Sequence, residues 1–233
     1  MIGVVIPACN EEDHIESCLQ SIQAAIAVLD PCIEVKIMVV LDSCEDQTLH
    51  RVMAMQVPYL CCTVRCVGQA RDLGVRALLE QGATWVACTD ADSRVNANWL
   101  KQQLQHQPTD LICGVVYIDD WQNLSAQTQS LYMGHYQDRM GHRHIHGANL
   151  SFSGEAYLAV GGFHHLKCHE DVDLVQRMLA ADYTALWSNQ VRVATSSRLH
   201  GRAQDGFADF LNNLHQQQVI EKSEQLIVLN SKT

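Results

Sequence analysis

The sequence predicts an α/β fold with a mainly parallel central sheet and helices on both faces of that sheet. Two observations support this prediction. Strand-like and helix-like segments alternate with short connections through the first half of the chain, which is typical of repeated βαβ units. The first strand, at residues 2–6, is apolar throughout, as expected of a strand that is covered on both faces.

Each element of the first half follows from its residue pattern. Asn10 is expected to cap the first helix, whose first turn is acidic and whose apolar residues recur at helical spacing between Ile15 and Leu29. The elements that follow are a strand at 33–41, a helix at 47–55, a strand at 60–67, a helix at 69–80 with Leu73, Ala77 and Leu78 facing inward, and a strand at 85–89.

The second half is predicted to be less regular. Its expected elements are helices at 98–105, 124–140, 155–160 and 171–181, a strand at 111–117 and an edge strand at 149–153. In the last helix the inward residues are expected to be Leu174, Val175, Met178 and Leu179. No linker, repeat or low-complexity segment interrupts the chain, so we expect a single domain over residues 1–233.

Charge and hydropathy argue against several classes of protein. The 233 residues carry a formal net charge of −10 without a block of lysine or arginine, which argues against a nucleic-acid or anionic membrane partner. Phosphate-bearing ligands stay compatible with this charge, because a bound metal ion can reverse the local field. No apolar run approaches the roughly 20 residues that span a bilayer, and the amino terminus lacks the basic region of a signal peptide. We therefore expect a cytoplasmic protein.

The sequence contains ten cysteines and twelve histidines, which could form disulfide or metal frameworks. Cysteines in apolar segments behave as small hydrophobic residues, and no Cys-x-x-Cys pair is present, so we expect reduced thiols. His142, His144 and His146 alternate, which would place them on one side of an extended segment as a metal patch. Solvated loop histidines are the interpretation that we favour.

Two carboxylates one residue apart are the most informative feature of the sequence. The apolar segment at 85–88 ends in Thr89-Asp90-Ala91-Asp92. On an extended backbone Asp90 and Asp92 point the same way, and a divalent cation would relieve their repulsion. Mg²⁺ or Mn²⁺ suits such oxygen ligands and is usually completed by substrate phosphates. Taken alone the pattern is weak, because acidic pairs also occur in solvated turns.

Four further segments accompany this pair in a fixed order. Together the five read VVIPACNEE at 4–12, VVLDSCEDQT at 39–48, GQARDLG at 68–74, TDAD at 89–92, and GGF at 161–163 with HEDVDL at 169–174. In order and spacing they resemble the motifs of family 2 glycosyltransferases. The resemblance implies the GT-A fold, whose central sheet is Rossmann-like, and membership of the nucleotide-diphospho-sugar transferase superfamily. It extends to about residue 178.

The resemblance implies a nucleotide-sugar donor site in residues 1–95. Ligands of open α/β sheets bind beyond the carboxyl ends of the strands, where these residues are predicted to lie. Pro7, Ala8 and Glu11 would hold the ribose and base, and Asp42 would accept a hydrogen bond from the uracil ring. The diphosphate and metal would be contacted by Arg71, Asp90, Ala91 and Asp92, with Asp90 and Asp92 as ligands of Mn²⁺ or Mg²⁺.

Each of these donor-site residues also has a simpler interpretation. In that interpretation Glu11 offsets the dipole of a helix, Asp42 forms a turn, and Arg71 is an exposed helix arginine. The segment Leu41-Asp42-Ser43-Cys44 departs from the Asp-Asp-Gly-Ser that is common in the family, which leaves uracil and guanine open. Asp72 stands where asparagine is usual.

The acceptor half, residues 96–218, carries the expected catalytic pair Glu170 and Asp171. By resemblance Asp171 is the general base, which would give inversion at the anomeric carbon; a helix cap is the simpler alternative. His200 would complete the metal shell, with Arg198 and Arg202 as phosphate or acceptor contacts. Some relatives with such a late histidine retain configuration, so both outcomes stay open. Residues 219–233 are expected to form a polar tail.

These expectations predict a metal-dependent glycosyltransferase. It would move a single sugar from a nucleotide-diphosphate sugar, with UDP-sugar favoured, to a small soluble acceptor. The Gln-x-x-Arg-Trp motif of processive relatives is missing, which argues against polymer synthesis. Two alternatives are a nucleotidyltransferase, disfavoured by the acidic, glycine-free loop after the first strand, and a non-catalytic sugar-nucleotide-binding protein.

Overall fold

A computed structural model describes residues 1–121, 124–198, 207–209, 211–213 and 215–216. The chain divides into two compact units. The first comprises Met1–Tyr117 and Asp138–Thr195, and the second comprises Ile118–Gln137 and Ser196–Thr233. All the predicted site residues except Arg198, His200 and Arg202 belong to the first unit. The prediction of a single domain over the whole chain stays a prediction.

The first unit is built on one sheet. Its strands are β1 (Ile2–Ala8), β2 (Val35–Asp42), β3 (Tyr59–Cys62), β4 (Trp85–Cys88), β5 (Arg94–Val95), β6 (Leu111–Tyr117), β7 (Leu150–Ser153) and β8 (Ala185–Ala194). Their order is β3-β2-β1-β4-β7-β6-β8-β5. Strands β1 to β4 form a parallel block, β7 runs antiparallel to β4 and β6, and β5 runs antiparallel to β8. Strands β6 and β8 are parallel.

Helices alternate with these strands along the chain. They are α1 (Ile15–Ala27), α2 (Thr48–Ala54), α3 (Val67–Glu80), α4 (Trp99–Gln105), α5 (Ala126–His135), α6 (Gly154–Ala159) and α7 (Glu170–Ala180), with a short 3-10 turn at Gly147–Asn149. Of the helices in the described ranges, none is long and apolar enough to cross a membrane.

The sheet separates two apolar cores. Along β1, Val4 and Ile6 pack with α1 and α4 in one core, whereas Val5 packs with α3 and α7 in the other. Successive residues of a strand point to opposite faces, so the alternation shows that β1 is covered on both sides. The predicted α/β class, with a mostly parallel sheet and helices around it, is confirmed.

Several local predictions were wrong. The strand at 149–153 is not an edge strand, because β7 lies between β4 and β6. Asn10 does not cap α1, which begins at Ile15; its backbone has a φ of 52° and its side-chain oxygen accepts a hydrogen bond from the backbone N–H of Glu45. Leu73 and Leu179 do not face inward, and each is 40% exposed.

In the second unit, α5 is shorter than the predicted helix at 124–140. The Ser125 hydroxyl caps it by accepting a hydrogen bond from the backbone N–H of Thr128 at 3.1 Å. Aromatic rings join Ile118 and Leu211 in the apolar cluster of this unit: Tyr132 stacks on Tyr136 at 5.1 Å and meets Trp121 edge-on at 5.3 Å. Such pairs stabilise a small cluster beyond their buried area.

Candidate functional site

A buried arginine joins the acidic pair after β4 to the acidic turn that opens α7. Arg71 lies on α3 and is only 3% exposed. Its guanidinium donates hydrogen bonds to Asp90, at 2.6 Å, and to Glu170. Burial alone would lower the pKa of Arg71, but Asp90 and Glu170 together raise it, so the group stays positively charged. The interpretation of Arg71 as an exposed helix arginine is therefore wrong, and its guanidinium lies buried between Asp90 and Glu170.

Two glycines make this close packing sterically possible. A Cβ at Gly147 would lie 2.5 Å from a guanidinium nitrogen of Arg71, and one at Gly68 would lie 2.8 Å from the Glu170 side chain. Neither clash could be relieved without moving a charged group of the buried cluster. Gly68 belongs to the GQARDLG motif at 68–74. Gly147 was missed, because it follows an irregular histidine-rich segment without a recognisable pattern.

The two neighbouring acids at the start of α7 have different surroundings. Glu170 is buried against Arg71, and burial raises its pKa although Arg71 opposes the shift. Asp171 is partly exposed, and its two oxygens accept hydrogen bonds from the backbone N–H groups of Gly147, at 2.7 Å, and Val172, at 2.8 Å. These contacts hold the Asp171 carboxylate in one orientation. Of the predicted catalytic pair, Asp171 is the member that solvent reaches more readily.

The two aspartates of the Thr89–Asp92 segment lie just beyond β4. The chain leaves the strand after Cys88 and turns, with the Ser93 N–H donating to the Asp90 carbonyl at 3.1 Å. The Asp90 side chain is 34% exposed although it binds Arg71, and Asp92 is partly exposed. Asp92 also accepts a hydrogen bond from the Ser93 hydroxyl at 3.3 Å. The pair lies in a turn rather than on the extended backbone that was expected.

These carboxylates fit a divalent cation that takes its remaining ligands from elsewhere. Hard carboxylate oxygens are the donors that Mg²⁺ and Mn²⁺ prefer, and Mg²⁺ commonly has only one or two protein carboxylates beside water and phosphate oxygens. Among the described residues, no group of three or more His, Cys, Asp and Glu side chains could hold a metal by itself. Carboxylates of this turn would leave further coordination positions of such a cation to other ligands, such as water or phosphate oxygens.

The predicted nucleotide end lies beside the carboxyl ends of β1 and β2. Pro7 and Ala8 are in the last two positions of β1, which pair with Val40 and Leu41 of β2. The chain then reaches Glu11, which is buried and pairs with His14 at 3.1 Å. These strands are parallel to β4, so their ends share one edge of the sheet with the Asp90 segment.

Asp42 has a structural role that the sequence did not reveal. Its buried carboxylate accepts hydrogen bonds from the backbone N–H groups of Arg65, at 2.9 Å, and Cys66, at 3.0 Å. It thereby fixes the loop that leads into α3. This role is close to the simpler interpretation of Asp42 as a turn-forming residue. The loop that its carboxylate stabilises, however, follows the neighbouring strand β3 and not β2, to which Asp42 belongs.

Asp72 ties α3 to the Gly-Gly-Phe segment. Its carboxylate accepts hydrogen bonds from the Tyr157 hydroxyl, at 2.5 Å, and from Arg76, at 2.8 Å. The same hydroxyl accepts a hydrogen bond from the Phe163 N–H at 3.0 Å, and burial raises the pKa of Tyr157. A charged acceptor strengthens such a network. The departure from asparagine at this position therefore has a structural account.

The remaining predicted residues fall in three groups. Ala91 is buried in the turn between the two aspartates. Arg198 belongs to the second unit, where its backbone N–H donates to the Ser196 hydroxyl at 3.3 Å. His200 and Arg202 lie outside the described residues.

The three alternating histidines form a stack. The ring centroids of His142 and His144 are 5.4 Å apart and those of His144 and His146 are 5.8 Å apart. His142 is buried, so the expectation of solvated loop histidines is wrong for that residue. Burial lowers the pKa of His142, and burial with the two neighbouring rings lowers the pKa of His146 to about 3. His142 and His146 are therefore neutral at neutral pH.

Comparison with known proteins identifies the family. Residues 3–158, about two thirds of the chain, match the family described as glycosyl transferase family 2. The chain belongs to glycosyl transferase family 2. The predicted family membership is thereby confirmed. No curated protein matches the sequence of this family 2 member.

Solved structures with the GT-A fold resemble this family 2 member. TarS of S. aureus superposes with a TM-score of 0.64 at 16% identity, over 84% of this chain and 36% of TarS. A TarS fragment in complex with UDP-GlcNAc gives 0.66 at 15% identity, over 88% of this chain and 61% of the fragment. The mannosyltransferase PcManGT from Pyrobaculum calidifontis, in complex with GDP-Man and Mn²⁺, gives 0.64 at 19% identity, over 86% and 58%. At these identities the likeness shows the fold, and the chain spans less than two thirds of each of these structures.

Proposed function

We propose that the protein is a metal-dependent glycosyltransferase that moves one sugar from a UDP-sugar to a small acceptor with inversion at the anomeric carbon. The observation that carries the proposal is the contact of Arg71 with both Asp90 and Glu170. It joins Asp90 of the proposed metal motif to Glu170 of the proposed catalytic pair, which supports a site where a donor diphosphate and an acceptor hydroxyl could meet. The UDP-GlcNAc and GDP-Man complexes of two structural neighbours support a nucleotide-sugar donor.

The donor would lie along the strand ends from β1 to β4. The backbone at Pro7 and Ala8, with Glu11, would hold the ribose and base, while Asp42 would present its remaining lone pairs to the uracil N–H. A carboxylate has about four acceptor sites, so the hydrogen bonds that Asp42 accepts from the backbone N–H groups of Arg65 and Cys66 and from the Ser43 hydroxyl leave room for a fourth. Asp90 and Ala91 would contact the donor near its ribose and diphosphate.

Asp92 and Asp90 would hold Mn²⁺ or Mg²⁺ against the diphosphate, with His200 as a further ligand. The metal would offset the negative charge on the departing diphosphate. Arg71 neutralises Asp90 from the protein side, because their side chains are 2.6 Å apart. Arg198 and Arg202 would add positive charge near the phosphates or the acceptor.

Asp171 would act as the general base. Its two backbone hydrogen bonds hold the carboxylate in place while it accepts the proton of the attacking hydroxyl. Glu170 would act indirectly, because its carboxylate is engaged by Arg71. It would be a positioning residue that fixes Arg71 and the first turn of α7.

The test is calorimetric titration of UDP and of GDP into the protein, with Mn²⁺ and then with EDTA. We expect UDP to bind with Mn²⁺ and to lose most of its affinity in EDTA or in the Asp92→Asn variant. Glu80→Gln, which removes an exposed carboxylate at the end of α3, should bind as the wild type does. If GDP binds and UDP does not, guanine would replace uracil as the base of the proposed donor. Absence of binding by either nucleotide with metal present would overturn the proposal.

A further inference from the structure

The first unit contains a polar cleft that the proposed reaction does not use. The cleft has a volume of about 620 Å³ and is lined by Asn96, Ala97, Asn98, Gln102, Asn189, Gln190 and Arg192. Five of the seven lining residues carry a carboxamide, and none carries a carboxylate. The lining comes from the segment between β5 and α4 and from the middle of β8.

One wall of the cleft is a bulge that the fold holds firmly. In the pairing of β6 with β8, Gly114 faces Ser188 and the next residue, Val115, faces Arg192, so residues 189–191 are extra. The buried Asn149 amide fixes this bulge by donating to the carbonyls of Val115, at 2.8 Å, and Val191, at 2.9 Å. Bulges re-aim side chains, and this one brings Asn189 and Gln190 to the cleft.

The charged residue of the cleft is already neutralised. The Arg192 guanidinium donates to both oxygens of Asp138 at 2.8 Å each and lies over the Tyr117 ring at 5.2 Å from its centroid. The Asn189 amide also donates to Asp138, at 3.2 Å. Because this carboxylate balances the guanidinium, the cleft is not built to attract an anion.

Three amides of the lining, from both walls of the cleft, are available to a ligand. Asn98, Gln102 and Gln190 have no side-chain hydrogen-bond partner within the part of the chain that the structure describes. Asn96 is oriented, since its side-chain oxygen accepts from the Tyr117 hydroxyl at 2.8 Å. A carboxamide offers two donor hydrogens and an acceptor oxygen, which matches adjacent hydroxyl groups that each donate and accept.

We infer that this cleft is a binding site for an uncharged oligosaccharide. A bulge held by the Asn149 amide, a carboxamide lining and a neutralised arginine together suit a polyhydroxylated, neutral ligand, and the volume lies within the range of small-molecule sites. The site begins at Asn96, four residues after Asp92, which is roughly 13 Å of extended chain. It goes beyond the proposed transfer reaction, because binding here requires neither the metal nor Asp171.

The test is a saturation-transfer NMR titration of the full chain with four neutral trisaccharides: cellotriose, maltotriose, mannotriose and chitotriose. We expect at least one to bind saturably. The double variant Gln102→Ala/Gln190→Ala should weaken that binding roughly tenfold or more, as expected for the loss of two hydrogen-bonding groups. Gln105→Ala, which removes an exposed amide of the same helix outside the cleft, should leave it unchanged.

Three results would overturn the inference. They are binding by none of the four sugars, binding that the double variant does not weaken, and preference for a uronate-containing trisaccharide over the neutral ones. The Asp92→Asn variant separates this site from the donor site: it should lose UDP and keep the trisaccharide. Failure of the nucleotide titration would therefore leave the trisaccharide result intact, and the reverse also holds.

Discussion

At the scale of single residues, the two acids at the start of α7 are proposed to have different roles, with Asp171 as the general base and Glu170 as a positioning residue. Asp171→Asn keeps the shape of the side chain and removes its basicity, so transfer should fall about 10²- to 10⁴-fold while UDP affinity changes little. Rates of sugar transfer and calorimetry on the same preparation would measure both. Asp173→Asn, in the same helical turn and paired with Arg177 and His164, should keep the transfer rate. Equal losses in the two variants would contradict the assignment.

Arg71 should matter to folding as much as to function. Replacing Arg71 by methionine leaves Glu170 buried without its partner, and breaking a buried ion pair typically costs about 3 to 5 kcal/mol. Urea unfolding of Arg71→Met should show that loss in the free energy of unfolding. The double variant Arg71→Met/Glu170→Met should recover part of it, since the buried carboxylate is then absent. A loss below about 1 kcal/mol in the single variant would show that the cluster is not a stabilising centre.

Sequence identified the chemistry of the candidate site better than its contacts. Asp90, Arg71 and Glu170 could be selected because each occurs in a motif, and the structure brings them together. The buried position of Arg71 could not be read from the sequence, because an arginine on a helix is usually exposed. The hydrogen bonds of Asp42 likewise join segments 23 and 24 residues apart, a separation that local patterns do not encode.

At the scale of elements, the 3-10 turn at Gly147–Asn149 connects the site to the sheet. Gly147→Ala would place a Cβ against the Arg71 guanidinium, so the change should destabilise the fold by about 1 to 3 kcal/mol and reduce transfer. Urea unfolding and a transfer assay would measure the two effects. Gly134→Ala is the matched control, because a Cβ there meets nothing within 4 Å and alanine favours the α5 helix. Similar stability of the two variants would contradict the packing argument.

Elements with strong apolar periodicity were predictable and those without it were not. Strand β6 matches its prediction at 111–117, and α3 and α7 begin within two residues of theirs. Strand β8 was missed because its polar segment Ser188-Asn189-Gln190 interrupts the apolar pattern, and that interruption is the bulge. Strand β5 has two residues, too few for any pattern, and exists because it pairs with β8.

At the scale of the whole molecule, the α/β class was predictable because the two buried faces of the sheet impose apolar strands and amphipathic helices. Strand order was not, since β4, β7 and β6 are neighbours although 61 residues separate Cys88 from the start of β7 at Leu150. The central place of β7 comes from pairing on both of its edges. Pairing on both edges depends on the assembled sheet, and the residue pattern of a strand of only four residues does not reveal it.

The histidine stack should make the stability of the molecule depend on pH. The pKa of His146 is about 3 in the folded protein and about 6.5 in an unfolded chain. Between these values the unfolded state binds the proton and the folded state does not, so the free energy of unfolding falls as pH falls through this window. The slope from one such group is at most about 1.4 kcal/mol per pH unit. His142, whose pKa burial also lowers, adds to the same trend.

Substitution of His146 should remove its part of this dependence. Between pH 7 and pH 5 the wild type should lose about 1 to 2 kcal/mol more of its free energy of unfolding than His146→Gln does. Urea unfolding at the two pH values measures the difference. His50→Gln, at an exposed histidine of α2, should keep the wild-type dependence because that side chain is solvated in both states. If the free energy of unfolding of His146→Gln depends on pH as that of the wild type does, the neutral, stacked His146 imidazole is not the cause of the loss of stability in acid.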